Sequence, residues 1–244
     1  MPKILIVTAA YNAEQTISDT INCTKNLCIK NSNIVHLVKD GISKDKTLEI
    51  LKDFSHIKII SSKDEGIFNA FNQGANYMKW DFIYYLNADD VLTETGLQKL
   101  DWISKYGDQK YSYCFSIEVI RKKNKNILYS SKRINTLRVM TGYMPPHPGM
   151  VISKNTFKNF DEKFKVSADY KFFLEIWKKK NSIFKNYDDI ISQMKEGGNS
   201  QTIQGRIKSF NEDALILSEH YGKFLGYIIS FLKKIRRIIK WYLA

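Results

Sequence analysis

The sequence predicts an α/β fold: a mostly parallel central sheet flanked by helices, with an amphipathic helix at the C-terminus. Three observations predict it. Over residues 1–90, short runs rich in Ile and Val alternate with segments of helical spacing, as crossovers between parallel strands require. Polar and acidic residues gather directly after those apolar runs. Residues 223–243 carry apolar side chains at steps of three and four, the period of one helix face.

Residues 3–8 are a short apolar run suited to a buried strand. Residues 13–29 have helical spacing, 34–39 form a second strand, and 47–54 form a helix that Ser43 or Asp45 is placed to cap. A strand at 57–61, a helix at 67–78 and a strand at 82–86 complete the alternation. The segments 8–12, 40–45, 63–66 and 87–90 each follow a strand. In an open α/β sheet such loops converge at the carboxyl ends of the strands, where the ligand crevice lies. Beyond residue 100 the pattern is less regular. Strands at 111–120 and 127–131 flank a basic turn, and a proline-rich loop covers 141–149. A helix at 166–178, a polar glycine-containing loop at 197–202 and a helix at 206–221 follow. The clear boundary lies near Gly222, dividing a main domain, residues 1–222, from a basic helix, residues 223–244.

The 244 residues are 43% apolar and 13% aromatic, sufficient for a sizeable core. The net charge is +13, which points to an anionic partner. Lys223, Lys233, Lys234, Arg236, Arg237 and Lys240 supply +6 within the last segment, leaving +7 over residues 1–222. Cys23, Cys28 and Cys114 are odd in number and form no CxxC pair. They imply neither a disulfide framework nor a zinc site and fit a reducing cytosol. No signal peptide is expected, because the chain runs straight into a strand pattern. No uncharged apolar stretch of about 20 residues is present to span a membrane.

Chemistry concentrates in three segments. Asp89 and Asp90 end an apolar strand; adjacent carboxylates repel, and a bound cation relieves them. Mg²⁺ or Mn²⁺ prefers such oxygens and keeps positions open for substrate phosphates. The alternative is that one of them caps the next helix. Asp40, ending the second strand, can accept from a base N–H or a ribose hydroxyl, or belong to a glycine turn and cap. Gly74 interrupts the helix after Asp64, at a cost of roughly 1 kcal/mol against Ala. Close approach to a ligand or tight helix–sheet packing would explain it. No GxGxxG and no G-K-[ST] ending occurs, which argues against a dinucleotide oxidoreductase and a P-loop enzyme.

These segments resemble family-two glycosyltransferases of the Rossmann-like glycosyltransferase-A fold, and within them the bacterial enzymes that build capsule, colanic-acid or lipopolysaccharide sugars. Such sequences read DGxSxDxT, DxGIYDAMNKG and LNSDD. This chain has DGISKDKT from Asp40, DEGIFNAFNQG from Asp64 and LNADD from Leu86, after an opening TAAYN from Thr8. Asn69 stands where many relatives carry Asp, and Asn87 replaces the first Asp of a strict DxD. The resemblance implies that Thr8, Tyr11, Asp40 and Asp64 hold the nucleoside, and that Asp89 and Asp90 contact ribose and a divalent cation, Mn²⁺ or Mg²⁺. Further on, PHPGM at Pro146 resembles HQG, SADY at Ser167 resembles xADYD, and GGNS at Gly197 resembles a GGxS loop. Asp169 is thereby the expected catalytic base of an inverting transfer. Gly198 and Ser200 fall to a loop near the donor phosphates, and His147 to an acceptor or donor loop. A structural His between prolines and a helix-capping Asp169 are the alternatives.

The expected partners are a nucleotide-sugar donor, by default a UDP-sugar, and a glycan or lipid-linked acceptor. The stripe Phe224, Ile228, Phe231, Ile235, Ile238 and Tyr242 opposes Lys223, Ser230, Lys233, Arg237 and Lys240, which suits an anionic membrane interface. Packing on the main domain or on a partner subunit is the other reading. A nucleic-acid partner would account for the charge but not for the carboxylate pair, and none is expected. The expected location is cytoplasmic, peripheral on the inner face of the cytoplasmic membrane.

Overall fold

The computed structural model describes residues 1–121, 125–131, 134–135, 138–139, 143–178, 183–196 and 202–243. Its first half forms β1 (Ile4–Ala10), α1 (Ile17–Lys30), β2 (Ile34–Asp40), α2 (Thr47–Lys52), β3 (Ile57–Ser61), α3 (Ile67–Ala75) and β4 (Phe82–Tyr85). Then come β5 (Val91–Leu92), α4 (Glu94–Tyr106), β6 (Tyr111–Ile120), β7 (Ile127–Tyr129), a 3-10 turn (His147–Gly149) and β8 (Met150–Ser153). The chain ends with α5 (Ala168–Lys178), β9 (Ile183–Lys195), α6 (Ile203–Tyr221) and α7 (Lys223–Leu243). Among the described residues one sheet of nine strands has the order β3-β2-β1-β4-β8-β6-β9-β5, with β7 on β6. The β1–β2, β2–β3, β1–β4 and β6–β9 pairs are parallel. Because β8 is antiparallel to both β4 and β6, strands β1–β4, β6 and β9 all run one way. The sheet is therefore mixed but mostly parallel.

β1 shows why its run is continuously apolar. Leu5 and Val7 pack on one face with Phe68 and Phe71 of α3 and with the apolar side of α5. Ile4 and Ile6 pack on the other with Phe82, Tyr84 and Leu100 of α4. A strand covered on both faces has no polar side. Gly74 is explained by packing: a Cβ there would lie 2.5 Å from Cγ1 of Val7. The interruption of α3 thus brings helix and sheet together rather than clearing space for a ligand.

Several boundaries move for identifiable reasons. α1 starts at Ile17 and not at residue 13, because the N–H groups of Ala13 and Glu14 donate to Thr47 Oγ1 (2.7 Å) and Asp45 Oδ2 (3.1 Å). α3 ends at Ala75 and not at 78, where Trp80 Nε1 donates to the Ala75 carbonyl at 2.8 Å. α6 begins three residues earlier than its apolar spacing predicts, since Thr202 accepts from Gly205 N at 3.0 Å as its cap.

α7 departs from expectation most. Gly222, at φ 84°, separates it from α6. The helix then doubles back along α6: a Cβ on Gly226 would sit 2.5 Å from Ser218 N, and Ser230 Oγ donates to Phe210 O at 3.3 Å. Of the face that is polar in the sequence reading, Ser230 is buried and Lys233 turns inward, while Lys223 stays exposed, and Ile229 joins the main core. The apolar stripe points outward, with Phe224 81% and Phe231 56% exposed. Side chains of Ile238 and Tyr242 lie outside the described residues.

Candidate active site

Loops after β1, β2 and β3 come together at the carboxyl ends of their strands. The Asp40 carboxylate is buried and accepts from Ile42 N (3.1 Å), Ser43 Oγ (2.5 Å) and Ser61 Oγ (2.7 Å). Its neighbour Lys39, fully buried, donates to the carbonyls of Asp40 (2.9 Å) and Ser62 (2.6 Å) and to Asp64 Oδ2 (3.1 Å). Gly41 touches both remaining members: a Cβ there would be 2.6 Å from Asp64 Oδ2 and 3.3 Å from the Tyr11 ring. Tyr11 itself is 58% exposed. Asp40, Gly41, Asp64 and Tyr11 therefore form one cluster with an open aromatic face. Backbone strain marks the same place. Asn12 and Ile42 hold φ of 50° and 61°, a region that is costly for a β-branched residue and that concentrates at functional sites. Asn12 is fixed there by accepting from Lys44 N at 2.8 Å while its own N–H donates to Ser43 Oγ at 3.0 Å.

Thr8 does not join this cluster. It is fully buried and its hydroxyl bonds His36 Nε2 at 2.9 Å, while His36 Nδ1 bonds Thr24 Oγ1 at 2.8 Å. Burial lowers the His36 pKa to about 3, so the ring is neutral and both nitrogens are taken. Thr8 anchors the first loop from beneath, because its side chain alternates away from the cleft.

The carboxylate pair lies after β4. Neither Asp89 nor Asp90 caps α4; Thr93 does, accepting from Gly96 N at 3.0 Å. Asp90 is 1% exposed and its Oδ2 accepts from Asn87 Nδ2 at 2.7 Å. Burial first, and the Asp89 charge second, push its pKa up to about 7. Asn87 thus serves as a donor to Asp90, which an Asp in that place would not do. Asp89 makes no hydrogen bond among the described residues and is partly exposed. β5 pins the loop through pairing with β9 at Val91↔Gln193. No cluster of three or more metal-ligating side chains occurs among the described residues. Two carboxylates, one buried at a cost and one open, fit a hard cation that takes its other ligands from phosphate and water.

The second half closes onto α3. Glu162 accepts from Asn69 Nδ2 (2.8 Å) and Asn72 Nδ2 (2.7 Å), and Lys165 Nζ donates to the Glu65 carbonyl at 3.2 Å. Asn69 is thereby accounted for, since an aspartate there would face the Glu162 carboxylate. Asp169 sits in the first turn of α5 with Oδ1 accepting from Tyr170 N at 2.8 Å. It therefore does satisfy one helix N–H, while Oδ2 has no hydrogen bond among the described residues. Desolvation raises its pKa to about 6 against the opposing charge of Lys233. The segment before it is held by Glu212 of α6, whose carboxylate accepts from Lys165 N (3.0 Å), Val166 N (2.9 Å) and Ser167 N (2.8 Å). His147 packs among rings, 5.3 Å from Tyr85 and 5.6 Å from Phe71 and Phe160, and burial lowers its pKa to about 4. That is the setting of a structural, neutral imidazole. Gly198 and Ser200 lie outside the described residues. Lys39, Glu162 and Glu212 were not singled out from the sequence; only Lys39, a charge closing an apolar strand, left a visible signal there.

The sequence model of "Glycosyl transferase family 2" matches residues 5–172. The chain belongs to that family. An "uncharacterized glycosyltransferase" of Haemophilus influenzae is 26% identical over 219 residues, covering 81% of this chain and 67% of the relative. The "minor teichoic acid biosynthesis protein GgaB" of Bacillus subtilis is 24% identical over 262 residues, 96% of this chain but only 29% of that protein. Among solved structures, S. aureus TarS 1–349 in complex with UDP-GlcNAc superposes with TM-score 0.66 at 15% identity, over 93% of this chain and 69% of that one. The mannosyltransferase PcManGT of Pyrobaculum calidifontis, in complex with GDP-Man and Mn²⁺, gives 0.65 at 11%, over 99% and 71%. The family-2 chain has the glycosyltransferase-A fold of these transferases, as its resemblance implies, and with it the mostly parallel α/β sheet that its strand–helix alternation predicts.

Proposed function

We propose that this family-2 chain transfers a sugar from a nucleotide-sugar donor, most simply a UDP-sugar, to a hydroxyl of a glycan or lipid-linked acceptor in cell-surface polysaccharide synthesis. The observation that carries this reading is the Asp89 and Asp90 pair, one carboxylate buried and one open, on the same strand-end rim as the Tyr11–Asp40–Asp64 cluster. Tyr11 offers a face for a base to stack on, and Asp64 offers an acceptor for its N–H groups or for ribose hydroxyls, while the buried Asp40 carboxylate holds Ile42, Ser43 and Ser61 in the loop beneath them. Asp89 and Asp90 would hold a divalent cation, which when bound would neutralise charge on the departing diphosphate.

Asp169 acts as the general base. The acceptor oxygen gives its proton to Asp169 Oδ2 and bonds to the anomeric carbon while the bond from that carbon to the diphosphate oxygen breaks, which inverts the centre. Glu212 holds the segment that leads into Asp169, and the Tyr170 N–H donates to its Oδ1. His147 contributes packing and no charge. The outward apolar face of α7, on a helix where Lys223 and Lys234 are exposed, suits attachment to the anionic inner face of the cytoplasmic membrane, where a lipid-linked acceptor is presented. Among the described residues no helix is long and apolar enough to cross a membrane.

The test is nucleoside-diphosphate release from UDP-, GDP- and dTDP-sugars with Mn²⁺, beside a variant with Asp89→Asn and Asp90→Asn. Release from one donor, abolished in the variant and by chelator, is expected. Absence of release together with absence of nucleotide binding by calorimetry would overturn the reading.

A further inference from the structure

The C-terminal helix reaches the neighbourhood of Asp169, and Lys233, the single inward cation among its described residues, is the point of contact. α7 lies along α6 through Gly226 on Ser218 and Ser230 on Phe210. This brings Lys233 inward: its side chain is 19% exposed, its Nζ is 2.9 Å from Asp213 Oδ2 on α6, and it stands 3.3 Å from the centre of the Tyr170 ring on α5. Asp213 is 7% exposed and its Oδ1 has no partner among the described residues. Tyr170 directly follows Asp169 and gives it its N–H. Three helices thus meet at one lysine, beside two carboxylates that repel each other.

We propose that Lys233 is a positioning residue for the reaction: it bridges α6 and α5, compensates Asp213, and keeps Asp169 ionised to accept the acceptor's proton. This rests on Asp169 being the base. Without Lys233, Asp213 is an uncompensated buried charge beside Asp169, and both desolvation and like-charge repulsion favour a protonated Asp169, which cannot accept a proton. The other charged groups around α5 are already occupied. Glu212 takes the N–H groups of residues 165–167, and Lys171 pairs with Asp161 at 2.7 Å and Glu219 at 3.0 Å. Among the described residues Lys233 is also the one by which α7, whose outer face is free to take a surface, reaches the proposed chemistry. A helix whose role was attachment alone would have no need to bury a lysine beside the base.

The experiment is a carboxyl-carbon NMR titration of the full chain, with the Asp169 signal assigned by its loss in Asp169→Asn. In Lys233→Met the Asp169 midpoint is expected to rise by about one pH unit or more. Lys233→Arg should restore the wild-type midpoint, and Asp213→Asn should lower it. Where a transfer assay is in hand, the acid limb of kcat/KM moves with the midpoint, giving about a tenfold loss per unit on that limb. Coinciding midpoints in the wild type and Lys233→Met would overturn the proposal. Should Lys233→Met fail to fold, an unmoved midpoint in Asp213→Asn overturns it equally. Failure of the base assignment looks different: Asp169→Asn would then keep its transfer rate whatever the titration shows.

Discussion

His36 lies between Thr8 and Thr24 with both ring nitrogens engaged and no exposure to water. Its folded pKa of about 3 is below the ordinary 6.5 because burial penalises the imidazolium. As pH falls below 6.5 the unfolded chain takes up a proton that the folded chain refuses, so stability is lost in that window and fully retained above it. Between pH 6.5 and 5 this amounts to about 2 kcal/mol from one histidine. Urea unfolding should therefore show a steeper acid loss in the wild type than in His36→Gln, and equal slopes would mean that His36 is not held neutral. Asp90 gives the opposite kind of prediction. Its carboxylate is buried beside Asp89 at an energetic cost, so Asp90→Asn should unfold at the same or higher urea concentration. Donor turnover should nonetheless fall by at least the roughly 100-fold that lost outer ligands already cost a metal site. At this scale the acids of the cleft were legible, because Asp40, Asp64, Asp89 and Asp90 each follow an apolar run. Lys39, Glu162 and Glu212 were not, since their partners stand 25, 90 and 46 residues away and no local pattern joins them.

α3 shows how an element can be right in kind and misleading in detail. Its Phe68, Phe71 and Ala75 face the sheet as the spacing predicts. Gly74, however, is a contact and not a ligand gap, and Gly74→Ala tests this. Helix propensity alone favours the change by about 1 kcal/mol. The methyl 2.5 Å from Val7 Cγ1 should instead destabilise by about 1–3 kcal/mol, so a net gain in the urea midpoint would refute the packing account. On the opposite side of α3, Asn69→Asp restores the commoner family residue. It should weaken the junction with Glu162 by about 1 kcal/mol, measurable as a lower midpoint that recovers when Glu162→Gln is added. The elements that the sequence did not mark are the short or irregular ones. β5 has two residues and β8 four, and β9 is half exposed with register shifts against β6. Such strands are defined by their neighbours in the sheet, not by an apolar period of their own. α4 was likewise missed: Gly96 near its start and its polar outer face dilute the spacing.

On the scale of the whole molecule the question is what α7 does with two faces of unequal character. Its inner face closes on α6 through the small or polar Gly226, Ser230 and Lys233 and sends Ile229 into the main core; its outer face exposes Phe224, Tyr227, Ile228 and Phe231. The periodicity was plain in the sequence. Which face turned inward was not, because that depends on Ser218 and Asp213 of another helix. If the outer face enters a lipid interface, Phe224→Ser with Phe231→Ser should remove roughly 3 kcal/mol or more of partitioning, more than 100-fold in vesicle affinity, and leave the urea midpoint unchanged because neither ring supports the fold. Deletion of residues 223–244 should differ, lowering both affinity and stability, since it uncovers α6 and leaves Asp213 without its cation. Flotation with vesicles containing anionic lipid separates the cases. Binding by the wild type that falls with salt, as charge contacts on headgroups require, and disappears in the double-serine variant places the outer face on the membrane. Undiminished binding by that variant would instead assign attachment to the basic residues alone, and leave the apolar face for a protein partner.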